Sequence, residues 1–158
     1  MSYSSASDPA GSISLRIRGG ISAPTQARRL VLSQLEGQIE PTAAADVALI
    51  VSELVTNSVV HADVGPGRSL TVELVRLEDR VRIIVIDPGS PLEPRIRPPD
   101  PDTLGGFGLF VVDELSEAWG AARDGTAGTR VWCDVLFDRS QSSKLQAMDA
   151  DTASMSSG

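Results

Sequence analysis

Glu53, Asn57 and His61 follow one another at i+4 steps in DVALIVSELVTNSVVH, the stretch from Asp46 to His61. In a helix such residues form one row. Val47, Ile50, Val51, Leu54, Val55 and Ser58 recur beside them at i, i+3, i+4, i+7, i+8 and i+11, an apolar or small face able to seat the helix on a core. Glu and Asn on a helix flank are usually just solvated. Two later stretches give this row partners. DPGSP, from Asp87 to Pro91, follows an apolar run and sets a carboxylate at a strand end; it can accept from the exocyclic amine of an adenine, while Gly89 lets the backbone approach the ring. GGFGLFVV, from Gly105 to Val112, reads as a glycine turn feeding a helix, where the amides of Gly106, Phe107, Gly108 and Leu109 can hold a triphosphate. Magnesium, a hard ion, can take the Asn57 side-chain carbonyl together with phosphate oxygens and water. Glu53, one turn earlier, then stands near the γ-phosphate as a candidate base for a hydroxyl or water. His61 divides between a role near phosphate and satisfying carbonyls at the helix end.

These groups need elements to carry them. Ile13, Leu15 and Ile17 alternate with polar residues as in a half-buried strand that Gly19 and Gly20 end. A first helix starts at Ala23-Pro24-Thr25 with Ser22 as N-cap, and Gly37 closes it. The central helix opens at Pro41-Thr42 and runs to about Ala62, before the breaker Asp63-Val64-Gly65-Pro66-Gly67. SLTVELVR and RVRIIVID follow as strands in a hairpin around Leu77-Glu78-Asp79, and the second delivers Asp87 to its end. Prolines 88, 91, 94, 98, 99 and 101 forbid regular structure up to Gly106, so Pro91 to Leu104 is expected to act as a lid over the phosphates. Helical spacing resumes at Leu109, Val112 and Leu115; a short strand begins at Trp119, residues 124–128 turn, and Thr129 to Phe137 form a last strand.

The order β-α-α-β-β-lid-α-β-β describes a two-layer α+β sandwich, a mixed, mostly antiparallel sheet with helices on one face. Residues 12–138 are expected to form one domain between disordered tails at 1–11 and 139–158, whose small polar residues cannot bury a core. The Rossmann and Walker fingerprints are absent: Gly106-Phe107-Gly108 lacks the third glycine, and no GxxxxGK[ST] occurs. A net charge of -7 and a pI near 4.6 argue against general binding to nucleic acid or an anionic membrane surface. No signal peptide or membrane span is read from the sequence, which predicts a cytoplasmic protein. One cysteine, Cys133, excludes an internal disulfide and reads as a packed strand residue; with one histidine beside it, a conventional zinc site is not expected. Trp119 and Trp132 read as core or sheet-face packing.

The three stretches together resemble a known family. ELVTNSVVHA is similar to the N box, DPGSP to the first glycine box and GGFGLFVVDEL to the second glycine box of the ATPase/kinase superfamily of gyrase, the Hsp90 chaperones, MutL and the histidine kinases. Within it, SELVTNSVVHA together with GTRVWCDV resembles the small stand-alone bacterial anti-sigma-factor serine/threonine kinases. The resemblance covers about residues 13–138. It implies a Bergerat ATP-binding fold, ATP and Mg2+ as cofactors, and phosphorylation of a serine or threonine on an anti-anti-sigma partner. A sigma factor is the other implied ligand, and a homodimer the implied assembly. On the matched positions Glu53 is the implied catalytic base, Asn57 the magnesium ligand, Asp87 and Gly89 the adenine contacts, Gly105, Gly106, Phe107, Gly108 and Leu109 the phosphate loop, and Thr129 a further nucleotide contact. Two positions depart from the pattern: Pro91 replaces the second glycine of Asp-x-Gly-x-Gly, and Phe107 stands where many relatives carry Arg or another polar residue. A non-catalytic nucleotide-binding regulatory module therefore stands as the alternative to the kinase. An ATPase motor is the least expected reading, since no transducer domain follows.

Overall fold

The computed structural model describes residues 6–8, 11–89, 108–123, 128–142, 144 and 146–147. Six strands, β1 (Ala6–Asp8), β2 (Ser12–Arg18), β3 (Ser69–Arg76), β4 (Arg80–Asp87), β5 (Ala118–Arg123) and β6 (Thr129–Leu136), form one sheet in the order β1-β2-β3-β4-β6-β5. Every pairing among them is antiparallel, so the sheet is not mixed. Helices α1 (Ala23–Leu35), α2 (Pro41–His61) and α3 (Gly108–Leu115) share one core with a single face of the sheet, the arrangement of the Bergerat ATPase fold. Ile17, Leu70, Val72, Ile83, Val85 and Cys133 meet Val31, Val47, Val51, Val55 and Val112 there. Burial pushes the Cys133 thiol well above its usual range, so it is an inert packing residue.

Local chemistry explains the boundaries. Pro24 and Pro41 sit in the first turns of α1 and α2, where a missing N–H costs nothing. Ser22 is the N-cap of α1, yet its hydroxyl caps nothing, because its backbone is already helical; Gly20 and Ser22 carbonyls instead accept from the amides of Ala23 and Gln26. At the far end of α2, Asp63 turns at φ 50° and the Arg68 guanidinium donates to the carbonyls of Ala62 and Asp63 at 3.1 and 3.3 Å. The valines and Thr56 give α2 little intrinsic helix preference, so its eight buried residues, Ala43 to Ser58, hold it to the sheet. By length and a mean hydropathy of 1.5 this helix could cross a bilayer, and its burial in the core accounts for that apolarity.

Strand β1 lies within the stretch expected to be disordered and pairs with Ser12–Ser14. At the other end, a 3₁₀ turn (Arg139–Gln141) leads back toward the helices, with Arg139 3.5 Å from Asp46, Ser142 Oγ donating to Glu117 at 2.8 Å and Lys144 bonded to Asp113. The opposite sheet face carries Arg82, which grips Asp134 through two bonds of 2.7 and 2.9 Å and lies 4.8 Å over the Trp132 ring. Trp119 packs against the core and donates to Asp113 at 2.9 Å, so both tryptophans pack as expected.

Candidate functional site

Helix α2 lies under the start of α3, and that crossing brings two of the sequence stretches together. A Cβ built on Gly108, the first residue of α3, would lie 3.1 Å from Glu53 Oε2, 3.2 Å from Asn57 Nδ2 and 3.3 Å from Asn57 Oδ1. The i+4 row therefore meets the N-terminus of α3, and only glycine leaves both side chains unshifted there. The first turn of α3 contains no acidic residue, so its free amides keep their attraction for an anion from outside the helix. Among the described residues no three acidic, histidine or cysteine side chains converge on a metal site. A hard cation here depends on the Asn57 carbonyl and on oxygens that a ligand supplies, which is how Mg2+ is commonly held beside phosphates.

The second part of the site is the end of β4. Asp87 is buried and faces the same side of the sheet as its cross-strand partner Thr129 at the start of β6. Its Oδ1 accepts from the Gly89 amide at 2.8 Å and its Oδ2 from the Ser58 hydroxyl at 2.9 Å. Gly89 adopts φ 110° and faces the Gly128 Cα, 3.4 Å from where a Cβ would stand. Gly128, at φ 118°, packs directly on the Asp87 carbonyl. Among the described residues Thr129 Oγ1, in register with the Asp87 carboxylate, has no hydrogen-bond partner although it is buried. A buried hydroxyl left so is uncommon and marks a place where an incoming polar group completes the bonding. Carboxylate, orphan hydroxyl and glycine-lined backbone fit a planar base with an exocyclic amine.

Of the residues singled out from sequence, the structure brings Glu53, Asn57 and Gly108 together and sets Asp87, Gly89 and Thr129 together. Leu109 is 8% exposed and its side chain belongs to the core, so only its backbone is free for a ligand. His61 is exposed at the last position of α2. Gly105, Gly106 and Phe107, Pro91 and the expected lid from Pro91 to Leu104 lie outside the described residues. Two participants were not foreseen. Ser58 counts in the sequence only as a small residue on an apolar face, and Gly128 only as part of a turn.

The family model of the histidine kinase-like ATPase domain matches residues 22–134, a span that begins before α1 and ends within β6. No curated protein matches the chain. Among solved structures, the chain is similar to the RsbU and RsbW domains of Rv1364c from Mycobacterium tuberculosis, with a TM-score of 0.56 and 23% identity. That alignment covers 78% of this chain and 32% of the other, so this chain spans about a third of its length and the likeness is one of fold.

Proposed function

The chain belongs to the histidine kinase-like ATPase domain family, and from that premise we propose that it is a protein serine/threonine kinase that uses Mg-ATP to phosphorylate an anti-anti-sigma partner and binds a sigma factor, in the cytoplasm. Membership implies ATP as ligand. The observation that supports the catalytic part is the convergence of Glu53 and Asn57 on Gly108, which sets a carboxylate beside both the amide proposed to hold magnesium and the head of a helix. The choice of serine or threonine and the sigma-factor setting rest on the resemblance of SELVTNSVVHA and GTRVWCDV.

In this reading Asp87 accepts from the adenine amine, Thr129 completes the bonding at the base, and the α3 amides take phosphate oxygens. Mg2+ held by Asn57 would neutralise phosphate charge. Glu53 orients the partner's hydroxyl and receives its proton as that oxygen bonds to the γ-phosphorus and the bond to the β–γ bridging oxygen breaks, releasing ADP. Pro91, in place of a glycine, favours the alternative of a nucleotide-binding module without catalysis.

Labelled ATP and candidate partners from the same genome separate the two. A positioned base contributes ~10²–10⁴-fold, so Glu53→Ala should bind ATP almost as wild type does and transfer at least ~100-fold more slowly. Asn57→Ala should lose both binding and transfer. Robust transfer by Glu53→Ala removes the catalytic assignment; ATP binding by wild type without transfer to any partner establishes the module instead.

A further inference from the structure

Ser58 is an unusual choice for its place. It is 5% exposed on the face of α2 that otherwise buries Val47, Val51, Leu54 and Val55. A hydroxyl there is worse than a methyl for helix preference and for burial unless its hydrogen bonds repay it. Two acceptors stand within reach, the Leu54 carbonyl at 3.2 Å and Asp87 Oδ2 at 2.9 Å. One proton serves one acceptor well, and the nearer, charged oxygen takes it.

Asp87 is thereby gripped from two elements. The Gly89 amide holds Oδ1 from the strand end and Ser58 holds Oδ2 from the central helix. Each oxygen keeps a second lone pair, so the grip fixes the direction of the carboxylate without using up its capacity to accept. Without Ser58 the carboxylate keeps, among the described residues, the contact two residues along its own chain, and a terminal carboxyl torsion is broad and soft.

We propose that Ser58 is the positioning residue that aims Asp87 at the nucleobase and so sets the preference for adenine over guanine. The inference rests on the ATP reading of this site. Adenine presents an amine at C6 that a fixed carboxylate accepts from; guanine presents a carbonyl there, which the same fixed carboxylate repels. Freeing the carboxylate weakens the first effect and relaxes the second.

Calorimetric titration of wild type, Ser58→Ala and Ser58→Thr with Mg-ATP and Mg-GTP, beside their melting temperatures, tests this. Ser58→Ala is expected to bind ATP about 10-fold more weakly, the worth of one hydrogen bond of preorganisation, with GTP affinity unchanged or improved. The ATP-to-GTP ratio should narrow by at least that factor, and Ser58→Thr, which keeps the hydroxyl, should restore it. Equal losses for both nucleotides, or a lost ratio in Ser58→Thr despite a wild-type melting temperature, would mark a merely structural residue and overturn the proposal. Wild-type binding and selectivity in Ser58→Ala would do so as well. If wild type binds no ATP, the reading of the site fails and the proposal falls with it.

Discussion

Thr129 Oγ1 is a buried hydroxyl without a hydrogen-bond partner among the described residues, a condition that costs roughly 1–3 kcal/mol, and it stands in register with a carboxylate. The pair makes Asp87 sensitive to a change as small as an amide. Among the described residues the Ser58 hydroxyl and the Gly89 amide both donate to Asp87, so in Asp87→Asn the NH2 faces one of them, and the Ser58 hydroxyl has to turn to the Leu54 carbonyl to accept it, while the charge that faces the ligand is lost. ATP affinity in Asp87→Asn should fall at least ~10-fold, since charge-assisted bonds contribute about 1.5–3 kcal/mol; titration curves that superpose on wild type would remove adenine from this pocket. The Glu53 and Asn57 row was legible in the sequence because i+4 spacing is a local property. The Ser58 to Asp87 bond was not, because it joins residues 29 apart and a serine on a small-residue face reads as packing.

Between β4 and β6 the elements meet through glycines. Gly128 packs on the Asp87 carbonyl at φ 118°, so a methyl there meets both a strained backbone and an occupied space. Gly128→Ala should lose at least about 2 kcal/mol of stability in urea titration and splay the strand ends that hold Asp87 and Thr129. Gly65→Ala, where a Cβ meets nothing within 4 Å, serves as the control and should melt like wild type. At this scale the helices and the β3–β4 hairpin could be read from periodicity and a three-residue link, and the boundaries of α2 fall within one residue of those expected. The order of strands could not. Strand β6 lies between β4 and β5, and β1 adds to the edge of β2; neither follows from alternation, which names a strand's faces and not its neighbours.

Across the whole molecule, the chain beyond β6 returns to the helices, and Arg139 lies 3.5 Å from Asp46 at the start of α2. Burial raises the Asp46 carboxyl above its ordinary value and outweighs the lowering by Arg139. Because the folded state binds this proton more tightly than the unfolded chain, the group favours folding below its unfolded pKa, and that contribution is lost as pH rises through the folded value. Asp46→Asn should therefore raise the melting temperature at pH 7 by on the order of 1–2 °C, a gain that shrinks toward pH 4; a pH-independent difference, or a loss at pH 7, would contradict this. The other whole-molecule feature is α2 itself, 21 residues apolar enough to span a bilayer. Synthesis completes it at His61, while two strands that cover it, β4 and β6, begin only at Arg80 and Thr129. For that interval a nascent helix stands unsheltered before any machinery that sorts chains by apolarity. A charged side chain midway along such a segment costs about 2.5–3.5 kcal/mol in membrane insertion, and Glu53 stands near that middle. The residue proposed as the base thus also raises the cost of placing α2 in a bilayer.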